Sequence, residues 1–284
     1  MTTAAATLLD GPPASLRFRR RTGVVTSVRE LWKSRELIWT LAERDYRVRY
    51  KQAFLGVAWA LLTPVALMLV FTLFFQRIAH VNHGTTHYAL FSYLGLLPWT
   101  FFSSSLNVGG LSLVNNVPVL NKVYCPREVF PIGSMLVAAV DTTMALSGLV
   151  ALFFIFQTSP QPASVYVPLF MIVQVLLTLG LTLFAAITIV YLRDLRYALP
   201  VFLQLGLFAT PVAYSLADVP ASMRTLYQVI NPLAVVIDGY RRTVLYNQAP
   251  DWPMLGVATL VSSSLFVVGY WLFKRLEGGI ADVA

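Results

Sequence analysis

The chain has 284 residues, of which 57% are hydrophobic, 13% aromatic and only 12% charged, and its mean hydropathy is +0.68. Soluble domains carry about 25% charged residues, so this composition excludes a soluble enzyme, a disordered chain and a disulfide-stabilised scaffold. The single cysteine, Cys125, allows no intramolecular disulfide. The composition therefore predicts one all-α membrane domain, which we place at residues 26–284.

The segment before the first apolar run has two parts. Residues 1–25 are rich in Ala, Pro and Arg and are expected to form a flexible basic extension. Ser27 and Glu30 have the spacing of a capping box, which predicts the start of an amphipathic helix over 27–46. Tryptophans on the apolar side of this helix suit a membrane interface. Packing on a partner subunit is the alternative role.

The apolar runs that follow are long enough to cross a membrane. A transmembrane helix needs roughly 20 predominantly apolar residues, and polar clusters such as Asn115-Asn116 divide the longer uncharged stretches. The runs are continuous and do not alternate, which excludes spanning β-strands. Six transmembrane helices are predicted, at about 54–76, 88–110, 129–156, 165–192, 197–216 and 253–273.

The distribution of basic residues predicts the orientation. With the N-terminus inside, the inner flanks of the spans hold eleven Lys and Arg residues and the outer flanks hold four. Because cytoplasmic flanks are enriched in basic residues, both termini are predicted to be cytoplasmic. The net charge of +8 then reflects topology and contact with membrane lipids, and no nucleic-acid partner is expected. Segment 217–252 is too apolar for a solvated loop and too interrupted to span, which predicts re-entrant helices there.

Few residues could carry chemistry. Asp141 is the only ionisable residue deep in a predicted span; a hydrogen-bonded packing residue is the simpler interpretation, and a role in a transport pathway stays open. His80, His83 and His87 match no strong metal-ligand spacing, so a solvated loop without a metal is expected. The sequence lacks a phosphate-binding loop and a nucleophile elbow, so no catalytic residue is expected in this chain.

Five groups of residues, taken in this order and on these spans, carry a resemblance to a known family. They are Arg49-Tyr50-Lys51 with Leu55-Gly56 and Trp59; Cys125-Pro126-Arg127-Glu128 with Pro131; Tyr191 with Arg193-Asp194; Thr210-Pro211 with Tyr214, Asn231-Pro232 and Tyr240-Arg241; and Phe273-Lys274-Arg275-Leu276-Glu277 with Ala281-Asp282. From about residue 37 to 282 the chain resembles the permease subunit of type-2 ABC transporters that export lipid-linked polysaccharides, such as O antigen, teichoic acid and mycobacterial galactan precursors. Cys125 and Ile280 depart from the family pattern, which would have Phe at both positions.

The resemblance implies a channel-forming permease of the bacterial inner membrane, which moves a polyprenyl-pyrophosphate-linked polysaccharide out of the cytoplasm. It implies a homodimer with two nucleotide-binding subunits that hold ATP and Mg²⁺, so this chain itself needs no cofactor. It also implies a channel formed mainly by the first, second and fifth spans, and short gate helices over residues 217–250. A type-2 permease for a small molecule or lipid, and a stand-alone carrier or channel, stay open as alternatives.

Three groups of candidate site residues follow. The basic residues expected to meet the substrate pyrophosphate, for which positive-inside anchoring is the alternative, are Arg44, Arg47, Arg49 and Lys51. The aromatic candidates for the channel wall, for which lipid-facing packing is the alternative, are Trp59, Tyr93, Trp99 and Phe102. The candidates for coupling to the ATPase, on a short predicted helix between Pro118 and Pro126 and just after it, are Lys122, Tyr124, Arg127 and Glu128. A lipid-surface loop is the alternative for this last segment.

Overall fold

A computed structural model describes residues 24–51, 53, 55–78, 87–120 and 125–280, and the regular structure in these ranges is helical, without a strand. The α-helices of these ranges are α1 (Val24–Lys33), α2 (Arg35–Tyr50), α3 (Ala58–Phe71), α4 (Tyr88–Asn115), α5 (Val117–Leu120), α6 (Val129–Ile155), α7 (Val167–Tyr191), α8 (Leu195–Ala209), α9 (Ala221–Ile230), α10 (Pro232–Val244) and α11 (Trp252–Leu276). A π-helical stretch, Thr72–Ile78, extends α3. The predicted all-α fold is confirmed.

Four helical segments of the described ranges are long and apolar enough to cross a membrane: Ala58–Phe75, Val129–Ile155, Pro162–Tyr191 and Trp252–Gly279. They coincide with the first, third, fourth and sixth predicted spans, and the protein is an integral membrane protein. At the second predicted span, α4 has 28 residues and no Asp, Glu, Lys, Arg or His, but its Ser, Thr, Gly and aromatic residues make it less apolar. The count of six spans stays a prediction.

The fifth predicted span, at 197–216, is shorter than expected. Helix α8 has 15 residues and ends at Ala209. At a rise of 1.5 Å per residue it is about 22 Å long, against a hydrocarbon core of about 30 Å. The helix ends there because Pro211 disfavours the helical conformation at the preceding residue, and Thr210 is extended, with φ −105° and ψ 144°.

The N-terminal helix is divided in two. Helix α1 begins at Val24, so the predicted start at Ser27 is wrong, and the helix breaks at Ser34, whose hydroxyl donates to the Glu30 carbonyl oxygen at 3.0 Å. Helix α2 then runs along α6, with Ile38, Leu41 and Ala42 buried. Its outward face includes Trp39, which is 65% exposed. The placement of that face at the membrane interface stays a prediction.

Helix α4 lies at the centre of the bundle and contacts α3, α6, α7, α8 and α10. Helices α7 and α11 approach closely at Gly180 and Gly269, where a Cβ atom on Gly269 would overlap the carbonyl oxygen of Gly180. Small residues at such crossings let the backbones of membrane helices come together. A cluster of buried apolar side chains joins α2, the start of α6 and the ends of α7 and α11.

The segment between α8 and α11 contains two short helices. Helix α9 has 10 residues and helix α10 has 13, so neither is long enough to span a bilayer. Helix α10 is largely buried against α4, α7 and α11, whereas α9 exposes Met223, Leu226 and Ile230. The prediction of short helices here is confirmed, and their re-entry into the membrane and gate role stay predictions.

Candidate functional site

A polar groove of about 350 Å³ opens beside α3, between the end of α2 and the middle of α4 and α6. We call it the Asp141 groove. Its charged and aromatic walls, and the hydroxyl groups among them, come from Arg49, Tyr50, Trp59, Thr63, Thr100, Ser104, Asp141 and Thr142. The chain reaches α3 from α2 through Gly56, whose φ of +50° is a conformation that glycine adopts without strain.

Asp141 is held by two donors from the end of α2. Its Oδ1 accepts a hydrogen bond from the Tyr50 hydroxyl at 2.8 Å, and its Oδ2 forms an ion pair with Nη1 of Arg49. Burial, reinforced by the nearby Asp141 carboxylate, raises the pKa of Tyr50 to about 12, so its hydroxyl stays a donor at neutral pH. The chain itself satisfies the carboxylate, as expected of a packing residue, and also places it on the groove wall.

A polar stripe of α4 continues from the groove. Thr100, Ser103, Ser104 and Asn107 follow the i, i+3, i+4, i+7 spacing of one helix face, and Asn107 is exposed. None of these residues is among the predicted site residues, although their spacing is readable from the sequence. These four uncharged side chains give an otherwise apolar bundle one face that can form hydrogen bonds.

Three of the four predicted pyrophosphate-binding residues already have partners within the chain. Arg44 donates to Asp45 and to Asn116, both at 2.7 Å, and Arg47 pairs with Glu43 at 2.5 Å. The two carboxylate pairs are exposed, and such pairs contribute only about 0–1 kcal/mol, so an incoming anion could displace them at little cost. Arg49 is bound to Asp141, as described above, and Lys51 is exposed at the end of α2. Binding of a pyrophosphate stays a prediction.

The predicted channel-wall aromatics lie in different environments. The Trp59 side chain is 52% exposed on the Asp141 groove. Tyr93 is fully buried, and its hydroxyl donates to the carbonyl oxygen of Ala145 in α6 at 2.7 Å.

Trp99 and Phe102 lie together in the core at 5.7 Å between ring centroids, and Trp99 packs over Gly206 of α8. These contacts hold helices of one chain together. For all four aromatics, contact with a substrate stays a prediction.

Two of the predicted coupling residues, Lys122 and Tyr124, lie outside the described residues. The helix expected between Pro118 and Pro126 starts earlier, because α5 covers Val117–Leu120 and includes Pro118 in its first turn.

Glu128 is 1% exposed and forms an ion pair with Lys274 at the end of α11, and Lys274 also binds Glu277 at 3.3 Å. Glu128 thus has a partner within its own chain, and its contact with an ATPase subunit stays a prediction. The half-buried Arg127 stays a candidate for coupling.

At the opposite end of the bundle, Arg241 of α10 is 2% exposed and serves as an anchor. Its guanidinium donates to the carbonyl oxygens of Phe91, Pro211, Val212 and Tyr214, at distances between 2.5 and 3.1 Å, and lies 3.5 Å from the Phe91 ring centroid. Burial lowers the pKa of Arg241 to about 10, so the group keeps its charge at neutral pH. This residue ties the turn after α8 to α4, a contact that sequence reasoning missed.

No metal site is evident among the described residues, where no three His, Cys, Asp or Glu side chains come together. His87 stacks on Phe156 with 4.4 Å between ring centroids. His80 and His83 lie outside the described ranges.

An all-helical bundle with apolar spans defines an integral membrane protein, and comparison with known proteins identifies the family. Residues 36–245, more than half of the chain, match the ABC-2 type transporter family. The chain therefore belongs to this family, whose members are membrane components of transporters.

Three relatives illustrate the similarity. The chain is 30% identical over 260 residues to the O-antigen export system permease protein RfbA of Myxococcus xanthus, covering 91% of this chain and 99% of the relative. It is 24% identical over 249 residues to the protein of that name from Klebsiella pneumoniae, covering 87% and 95%. It is 23% identical over 242 residues to the polysialic acid transport protein KpsM of Escherichia coli, covering 82% and 91%.

Proposed function

We propose that this chain is the channel-forming permease subunit of an ATP-driven exporter of the bacterial inner membrane, which moves a polyprenyl-pyrophosphate-linked polysaccharide out of the cytoplasm. The observation that carries the proposal is the similarity to the Myxococcus O-antigen export permease, which extends over 99% of that relative. A relative named for polysialic acid transport indicates that the shared substrate class is a polysaccharide.

The ATPase belongs to a separate chain. Two nucleotide-binding subunits hold ATP and Mg²⁺ on the cytoplasmic side, and the segment between α4 and α6 docks on them. The absence of a phosphate-binding loop from this sequence supports that division. The eleven-to-four excess of basic residues supports a cytoplasmic location for this segment and for both termini.

A second copy of the chain completes the channel. Helix α8 supports this arrangement, because none of its side chains is buried in one chain. Its exposed apolar residues include Tyr197, Leu205 and Phe208, each at least 59% exposed. Such a surface needs either lipid or a second protomer beside it.

Gene deletion and complementation test the proposed function. Cells without this chain should lose surface polysaccharide and accumulate it inside, as detected by fractionation and gel analysis of the glycan. Wild-type protein should restore export only with an ATPase subunit that retains its phosphate-loop lysine. Normal surface polysaccharide in the deletion strain would contradict the proposal. Restored export with the inactive ATPase would favour a stand-alone carrier.

A further inference from the structure

We propose that the Asp141 groove binds sugar rings of the exported glycan as they leave the cytoplasmic side. This inference rests on the proposed function and adds a defined contact site to it. The groove is lined by α3 and α4, the first and second spans that the expected channel also uses, and by the end of α2 and the middle of α6, which that expectation did not include.

The hydroxyl groups of the groove are arranged as acceptors. Those of Thr63, Thr100 and Thr142 donate their hydrogens to carbonyl oxygens of their own helices at 3.0, 2.9 and 2.8 Å. Their lone pairs therefore remain available, and a ligand must supply the hydrogen. Sugar hydroxyls supply such hydrogens, whereas the acyl chains of membrane lipids do not.

The ion pair provides the complementary groups. Each oxygen of Asp141 accepts one hydrogen bond in the structure, so each retains capacity for a second one. The Arg49 guanidinium has five N–H donors, and its bond to Asp141 uses Nη1 alone. A carboxylate and a guanidinium side by side present two planar forks, which match the vicinal hydroxyl groups of a sugar ring.

Aromatic and apolar side chains line the groove beside these polar groups. The Trp59 ring is half exposed, and Ala60, Pro64, Ala138 and Ala145 contribute apolar lining. The face of an aromatic ring is electronegative and attracts the C–H groups on the flat side of a sugar. The volume of about 350 Å³ is within the range of roughly 300–1,000 Å³ found for ligand pockets. An aromatic face for stacking, together with hydrogen-bonding groups beside it, is the chemistry that a sugar ring requires.

Protection of a groove cysteine from a water-soluble thiol reagent tests this directly. Ser104→Cys, in a Cys125→Ser background, is combined with the ATPase subunit and labelled in inverted membrane vesicles. One set of vesicles comes from cells that make the glycan, with ATP hydrolysis blocked. The other comes from cells that lack the first glycosyl transfer. Asp194→Cys, exposed in the predicted cytoplasmic turn between α7 and α8 and outside the groove, is the control.

Labelling of Ser104→Cys should fall several-fold in vesicles that contain the glycan, while labelling of Asp194→Cys should not change. Equal labelling of Ser104→Cys in both vesicle types would overturn the proposal. Absence of labelling in both would also overturn it, because it would mean that lipid fills the groove.

Substitutions at the aromatic wall provide an independent measurement. Trp59→Ala should lower glycan export per assembled complex about two- to tenfold, the factor for loss of one aromatic contact, and Trp59→Phe should retain most export. Phe74→Ala is the control, since Phe74 is 55% exposed on the extension of α3 but does not line the groove.

Equal export by Trp59→Ala and Phe74→Ala would refute the groove as a sugar site. A wild-type complex that exports no glycan would instead refute the proposed function, so the two failures are distinguishable.

Discussion

Glu128 and Lys274 form an ion pair in which Glu128 is far more buried than Lys274. This difference in burial predicts that losing either partner lowers the free energy of unfolding by a different amount. Lys274→Met leaves Glu128, whose side chain is 2% exposed, without its counter-charge. Removing one partner of a buried pair costs about 3–5 kcal/mol in the free energy of unfolding. Glu128→Gln should be milder, because Lys274 is 22% exposed and keeps Glu277. Its expected cost is about 1.5–3 kcal/mol, the range for a hydrogen bond to a charged group.

The double variant Glu128→Gln with Lys274→Met removes both charges at once. Because replacing both partners of a buried pair is often close to neutral, the double variant should be more stable than Lys274→Met alone. Unfolding by titration with sodium dodecyl sulfate in mixed micelles gives the free energies for a double-mutant cycle. Arg275→Met is the control; this neighbouring residue is exposed over Trp271, and its loss should cost below about 1 kcal/mol.

Two outcomes would refute this reasoning. Additive costs in the double variant would show that the two side chains are not coupled. A Lys274→Met variant as stable as Glu128→Gln would show that Glu128 is not left as a buried, unpaired charge. Glu128→Lys would place two ammonium groups together and destabilise the folded chain itself. Loss of export in that variant alone would therefore not test coupling to the ATPase.

Three further predictions concern other parts of the bundle. Arg241→Lys should lower the free energy of unfolding by about 3 kcal/mol or more, because one ammonium cannot replace four carbonyl contacts; unchanged stability in the same titration would contradict the anchor role. Tyr93→Phe should lower the free energy of unfolding by about 0.5–1.5 kcal/mol and leave export per complex intact. Lost export at nearly normal stability would instead indicate that Tyr93 lines the channel. In a Cys125→Ser background, a cysteine at Ser159 should react with an impermeant thiol reagent in intact cells, and one at Gly278 only after permeabilisation. The reverse pattern would overturn the predicted orientation.

Helix positions were predictable where charges and polar clusters bound an apolar run. The predicted third span at 129–156 and the observed helix Val129–Ile155 agree because Glu128 and Gln157 flank the run closely. The fifth span was overextended, since the residues after Ala209 stay apolar although the helix has ended. Composition detects a membrane-compatible run, but the local conformation imposed by Pro211 decides where the helix stops.

The candidate site was only partly predictable, because its contacts join distant parts of the chain. Arg49 and Asp141 are 92 residues apart, and the sequence around either residue does not indicate that the two side chains pair. Trp99 shows the opposite case, in which a local feature was readable but ambiguous. Its position in mid-span excluded a belt residue, yet burial under α8, against Gly206, was as compatible with that position as a channel wall.

Buried and partly buried charged side chains join helices at three places in the described bundle. Arg49 and Asp141 join α2 to α6, Glu128 and Lys274 join α6 to α11, and Arg241 joins α10 to α4 and the turn after α8. Apolar side chains give membrane helices little directional preference, since lipid is as apolar as leucine, so packing alone leaves rotation and register weakly defined. A buried ion pair adds little net stability, but its unpaired alternatives are costly, and it therefore selects one register over its neighbours. Only 12% of the residues are charged, and several of them lie where two helices must keep one register. Helix α8 has no buried side chain and no such ion pair or anchor along its length. We therefore expect the position of α8 to depend on what packs beside it in the assembled transporter.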